Sequence, residues 1–132
     1  MSEVSFFIAG HARTQGSLSF YGKGHGFGHH SKELLDWRRY VAMAAQQHWH
    51  GGVSIADFEV GFVFLLPDRR ARDIDKLERA MLDALTGVVW RDDKQVARHC
   101  TPFGKRVVRD GEEPGVWVLL RSLPLGWDEN WP

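Results

Sequence analysis

The chain has 132 residues, a length that fits one domain able to bury its own core. Its 17 basic and 17 acidic side chains cancel, which excludes a uniformly basic nucleic-acid coat and leaves charge distribution as the informative quantity. A single cysteine, Cys100, excludes an internal disulfide and, with no thiolate partners beside it, a structural zinc cage. The default setting is then a reducing cytoplasm.

The first predicted element is a strand over about residues 4 to 9, Val4-Ser5-Phe6-Phe7-Ile8-Ala9. It has no basic segment before it and is too short to span a bilayer, so no membrane role is expected. Loop follows from Gly10 to Gly16 and again over Gly22-Lys23-Gly24-His25-Gly26-Phe27-Gly28, where glycine is too dense for a helix or strand interior. Ser31 is placed to cap a helix carrying Leu34, Leu35, Trp37, Val41, Ala44 and Ala45 that stops at Gly51-Gly52. The strongest strand is expected at about 57 to 66, in the run Phe58-Glu59-Val60-Gly61-Phe62-Val63-Phe64-Leu65-Leu66.

A second helix is expected from about Asp75 to Thr86, with Leu77, Met81, Ala84 and Leu85 on its apolar face and Gly87 ending it. Asp75, Arg79 and Asp83 follow at i, i+4 spacing on the opposite face. A weaker strand signal runs from Val96 to Val108, and a clear one covers 115 to 121, before a tail of about 122 to 132. The order describes one α/β (α+β) domain over residues 1 to 132: a mixed sheet packed with two main helices. Trp37, Trp90 and Trp117 fall on apolar faces, while Trp127 and Trp131 sit in the tail, where they are placed to dock on the surface.

The segment Arg72-Asp73-Ile74-Asp75-Lys76-Leu77-Glu78-Arg79 sets two carboxylates one residue apart where loop gives way to helix. In extended backbone, side chains two apart point the same way, so Asp73 and Asp75 can converge on one cation. After the helix, Asp92-Asp93 return the chain toward it, and three carboxylates can meet. Hard divalent ions such as magnesium take one or two carboxylates and complete their shell with substrate phosphate and water. A blander reading sits beside this one: Asp75 with Glu78 resembles a capping box, acidic first turns suit the helix dipole, and Asp-Asp is common in turns.

The stretch from Pro67 to Val96 changes that balance. A basic loop, Asp68-Arg69-Arg70-Ala71-Arg72, precedes the Asp73-Ile74-Asp75 pair that opens a helix. Asp83-Ala84-Leu85, a short turn and Asp92-Asp93-Lys94-Gln95-Val96 follow. This resembles the core of the RusA family of Holliday-junction resolvases, with every part in order and at family spacing. Phe7-Ile8-Ala9-Gly10 followed by Gln15-Gly16-Ser17 is similar, more loosely, to the opening of phage-type members.

The resemblance implies a RusA-like fold and a homodimer that nicks four-way junctions symmetrically in a bacterial or phage-infected cell. It further implies magnesium, or manganese as a substitute, held by Asp73, Asp75 and Asp93, with Asp83 in a more structural role. Lys76 and Arg79 stand where the best-known form of the motif has asparagine and lysine. Arg79 is the candidate for holding the scissile phosphate and Lys76 the second choice, because arginine can stabilise phosphate charge but cannot shuttle a proton. Arg69, Arg70, Arg72 and Lys23 are the expected DNA contacts. Two other readings are a junction-binding module without catalysis and a metal-dependent nuclease for other branched DNA. The histidines His25, His29, His30, His48 and His50 match no zinc spacing, and no histidine metal site is expected.

Overall fold

The computed structural model describes residues 2–16, 20–21, 26–27 and 31–132. The chain order is β1 (Glu3–Ala9), β2 (Phe20–Tyr21), β3 (Gly26–Phe27), α1 (Lys32–His48), β4 (Phe58–Leu66), α2 (Ile74–Leu85), a 3-10 turn (Asp93–Gln95), β5 (Val96–His99), β6 (Gly104–Val107) and β7 (Gly115–Ser122). The five longer strands form one mixed sheet, and β2 and β3 pair with each other as a separate ribbon. The ribbon departs from the expectation of loop through Gly26 and Phe27, since those two residues pair antiparallel with Tyr21 and Phe20.

The sheet is built around β4. On one side β7 runs antiparallel to it, and β1 runs antiparallel to β7. On its other side β4 pairs in parallel with two short strands placed end to end: β5 beside Phe58–Val60 and β6 beside Val63–Leu66. The single weak strand expected over 96 to 108 is therefore two strands, separated where Cys100–Phe103 turns over Gly61. A side chain at Gly61 would put its Cβ 2.7 Å from the Pro102 carbonyl and 3.0 Å from that of Cys100, so glycine is required for that close approach.

Both helices cover one face of the sheet. Leu34, Trp37, Val41 and Ala45 of α1 and Leu77, Ala80, Met81, Ala84 and Leu85 of α2 meet Phe6, Ile8, Phe58, Val60, Phe62, Phe64, Leu66, Val116, Val118 and Leu120 in a single core. The spacing of those apolar residues explains why each segment is helical: at 3.6 residues per turn they fall on one stripe. The start of α1 is fixed by Ser31, whose hydroxyl accepts from the Leu34 amide at 3.2 Å. Trp90 is fully buried and closes the end of the core beneath α2.

On the opposite face Glu59 is buried between two guanidinium groups, with Arg98 Nε at 2.9 Å and Arg121 Nη1 at 2.7 Å. Burial alone would raise the Glu59 carboxyl; the hydrogen bonds from Arg98 and Arg121 outweigh it and hold the group below its ordinary value. The C-terminal tail docks here as expected. Trp127 donates to Asp57 Oδ2 at 3.0 Å, and Trp127 and Trp131 lie against the Arg98 guanidinium at 5.1 and 4.7 Å. Trp37 and Trp90 are buried, whereas Trp117 is half exposed beside Phe7 on the uncovered part of this face.

Candidate active site

Contacts between α2 and the strands beside it follow in sequence order. Lys105 Nζ at β6 donates to the Arg72 carbonyl before the helix begins. A turn into the helix, Glu78 meets His99 at the end of β5. Further along, Leu82 shares a cleft with Asp93 and Val96. The helix thus runs antiparallel to the line of β6 and β5 and forms one wall of a groove, with the parallel strands as the other.

Asp73 occupies the N-cap position of α2, but its side chain makes no capping hydrogen bond. It lies 3.5 Å from Lys76 Nζ, and both groups face solvent. Asp75 is exposed in the first helical turn. The capping-box reading of Asp75 with Glu78 is not realised: the cap position belongs to Asp73, and Glu78 Oε2 is engaged with His99 Nε2 at 2.5 Å. Arg79 follows one turn after Asp75, half-buried on the same helix. Asp83, another turn on, accepts a hydrogen bond from Gln15, whose backbone amide is bonded to the Lys76 carbonyl at 2.9 Å. That pair of contacts pins the loop after β1 against the flank of α2.

The Asp92-Asp93 turn is shaped by a capping box. Asp92 Oδ1 accepts from the Lys94 amide at 2.9 Å, and Gln95 Oε1 accepts from the Asp92 amide at 3.1 Å. Gln95 also donates to the carbonyls of Ser54 and Ala56, both at 2.8 Å. These bonds explain why the motif carries glutamine two residues after its second aspartate: one amide side chain fastens the turn to the segment before β4. Asp92 is consumed by the cap, and Asp93 is presented to the cleft lined by Glu78, Leu82, Val96, Ala97, Arg98 and His99, about 340 Å³ in volume.

Asp93 is the acidic group of the site whose ionisation the fold opposes. Burial pushes its carboxyl up, and the negative charges of Asp92 and then Asp83 push it further. A carboxylate raised by burial and acidic neighbours is a donor that a divalent cation would relieve. Among the described residues, no three histidine, cysteine, aspartate or glutamate side chains stand close enough to hold one ion between them. Asp73 and Asp75 lie at the helix entrance and outside the cleft that Asp93 lines. The donor chemistry therefore fits an ion that takes one or two carboxylates and draws its remaining ligands from phosphate oxygens and water.

Beside the segment leading into the helix lies a basic crevice of about 590 Å³, lined by Asp68, Arg69, Arg70, Lys105, Arg106 and Arg109 among others. It forms because β4 and β6 are parallel and in register, Leu66 beside Val107, so the segments leaving their C-terminal ends lie together. Crevices outside the carboxyl ends of parallel strands are recurrent ligand sites. The cations are not equivalent. Arg106 is held by Glu112 through two bonds of 2.6 Å, which brings the Glu112 carboxyl down to about 2. Arg72 is tied to Asp68 at 2.9 Å, and that hydrogen bond lowers the Asp68 carboxyl. The guanidinium groups of Arg69 and Arg109 make no hydrogen bond or ion pair with a described residue.

Lys23, expected to contact DNA, lies outside the described residues, as do His25, His29 and His30. Sequence reasoning did not single out Glu78 with His99, nor assign Lys105 and Arg109 to the same surface as Arg69. The parallel pairing of β4 with β6 is what brings Lys105 and Arg109 to Arg69.

A family model described as endodeoxyribonuclease RusA matches residues 18–121. The chain belongs to the RusA family of endodeoxyribonucleases and is accordingly an enzyme of the kind that resolves Holliday junctions. The matched range takes in β2 through β7, and β1 joins the same sheet through its seven-residue pairing with β7. No curated protein matches the chain.

Proposed function

We propose that the chain resolves four-way DNA junctions as a homodimer making paired, symmetric nicks, with magnesium, or manganese in its place, held by one or two of Asp73, Asp75 and Asp93 together with phosphate oxygens and water. A junction has approximate two-fold symmetry, so one groove in each of two subunits suits two opposed strands. The observation that carries this reading is the arrangement along α2: a cationic crevice lies at the segment leading into the helix, Asp73 and Asp75 stand at its first turn, and Asp93 lines a cleft beside Glu78 and Leu82 farther along. A strand whose phosphates are gripped by Arg69, Arg70, Arg72 and the adjoining Lys105 and Arg109 is led along α2 to the carboxylates.

Bound there, the cation would supply charge neutralisation at the phosphate and a more acidic water. The chain's own residues do the rest. One or two of Asp73, Asp75 and Asp93 would provide its carboxylate ligands, while Arg79, one turn beyond Asp75, steadies the phosphate, with Lys76 as the second cation. The setting that fits is the cytoplasm of a bacterial or phage-infected cell; no described helix is long and apolar enough to cross a membrane.

The test is a mobile four-way junction incubated with the protein and magnesium. Paired nicks at symmetric positions are expected from the wild type, and none from Asp75→Asn, which should still bind the junction. Junction binding without magnesium-dependent nicking would favour a binding module instead, and equal cutting of linear duplex would favour a less selective nuclease. A wild-type nicking rate from Asp75→Asn would remove Asp75 from the ligand set.

A further inference from the structure

We propose that His99 is the proton acceptor for the attacking water, held in position by Glu78; this rests on the nuclease reading above. Hydrolysis of a phosphodiester needs somewhere to put a proton. Arg79 stays charged throughout and cannot take one, Lys76 is engaged with Asp73, and the aspartates are assigned to the cation. In the cleft that Asp93 lines, His99 is the one imidazole, and imidazole is the side chain that exchanges a proton between pH 5 and 8.

The ring is fixed on two sides. Its Nε2 is 2.5 Å from Glu78 Oε2, and its face stacks on Phe103 at 4.0 Å between centroids with planes only 18° apart. Glu78 is itself well covered, its side chain 15% exposed against 49% for His99, so the carboxylate forms a fixed anchor and the imidazole an accessible edge. With Nε2–H donating to Glu78, the lone pair lies on Nδ1, which has no hydrogen-bond partner among the described residues. A carboxylate that selects one tautomer in this way is a recurrent arrangement for a histidine base. The charged groups on the ring's side of the sheet are Glu78 from α2 and Asp93 from the 3-10 turn, since Arg98 before it turns to the other face with Glu59; Phe103, from the following segment, is neutral.

In the step itself, the water oxygen forms a bond to phosphorus as its proton passes to Nδ1 of His99. The bond from phosphorus to one ribose oxygen breaks, and its electron pair leaves with that oxygen, which takes a proton from solvent. The imidazolium then releases its proton to solvent. One water is consumed for each phosphate monoester and hydroxyl formed, and Glu78 is a positioning residue that holds the ring through Nε2.

The experiment measures single-turnover nicking of a four-way junction in magnesium from pH 5.5 to 8.5, with junction binding measured separately without the metal. The wild type should speed up about tenfold per pH unit on the acid side and then level off, because only the neutral ring accepts a proton. His99→Gln should bind the junction like the wild type, cut about 100-fold more slowly or worse, and lose the imidazole limb. Glu78→Gln should cut close to the wild-type rate, since the amide oxygen still accepts from Nε2–H, whereas Glu78→Leu, which leaves the ring without that anchor, should cut roughly 10-fold more slowly while binding the junction as before. Free imidazole should partly restore His99→Ala. A His99→Gln protein with the wild-type rate and limb overturns the proposal, as does a folded Glu78→Leu protein that cuts at the wild-type rate. A wild type that binds but never nicks junctions defeats the nuclease reading itself, a result distinct from either of these.

Discussion

Neutralising Arg69 and Arg109 together tests the role of the basic crevice. Both line it, and neither guanidinium is committed to a described partner, whereas Arg106 in the same crevice is held by two bonds to Glu112. Each phosphate contact on duplex DNA contributes about 0.9 to the slope of log affinity against log salt. Removing two such contacts should flatten the slope by about 1.8, so that between 50 and 200 mM salt the wild type loses roughly tenfold more affinity than the double variant. Arg106→Ala should leave the slope close to wild type and instead lower stability by freeing Glu112. The assay is a salt titration of junction binding without divalent metal, using Asp75→Asn, the variant expected to bind without cutting, as the background. An unchanged slope in the Arg69→Ala/Arg109→Ala protein, alongside a flattened one in Arg106→Ala, would refute the assignment of free and committed cations.

The other predictions concern how the scaffold tolerates its charges. Glu59→Ala strands two guanidinium groups against the sheet; because Arg98 and Arg121 are partly exposed and can be rehydrated, the expected loss is about 2–3 kcal/mol in urea unfolding. Glu59 and Glu112 are both held below the carboxyl value of 4.5, Glu112 to about 2. Their contribution is therefore complete above the unfolded-state value and lost as pH falls through the folded one; melting temperature should decline from about pH 4.5 downward, and less steeply in Glu112→Gln. Asp93 has the opposite sign. Its carboxyl is raised, so its ionisation costs stability at neutral pH, and Asp93→Asn should melt higher than the wild type at pH 7, with the gap closing in acid, while cutting is lost. A lower melting temperature at pH 7 would contradict that sign.

The fold was legible where local pattern and tertiary environment agree. Leu77, Met81, Ala84 and Leu85 repeat at helical spacing because one face of α2 is buried, and the apolar run of β4, interrupted by the ion-paired Glu59, reflects burial on both faces. The split between β5 and β6 was not legible, since it depends on how Cys100–Phe103 passes over Gly61, a contact between segments some forty residues apart in sequence. The same holds for the crevice: Arg69 and Arg109 are distant along the chain, and the parallel register of Leu66 with Val107 unites them. Asp73, Asp75 and Asp93 were legible as a motif. His99 had no spacing partner to mark it, and Glu78 looked like a capping residue. A glutamate three residues after an exposed aspartate is ambiguous until the facing strand is known.

The antiparallel course of α2 beside β6 and β5 has a consequence for the shape of DNA the protein accepts. From Asp73 to Leu82 the helix advances about 14 Å, or roughly four base-pair steps of 3.4 Å each. The basic crevice beside one end of α2 and the cleft of Asp93 beside Glu78 and Leu82 are thus held apart by one stiff rod. A strand that is to be cut must conform to the protein over that length. The branch point of a junction, where stacking is interrupted, is the place where DNA bends most cheaply, and selection for branched substrates follows from a scaffold that leaves all the bending to its substrate.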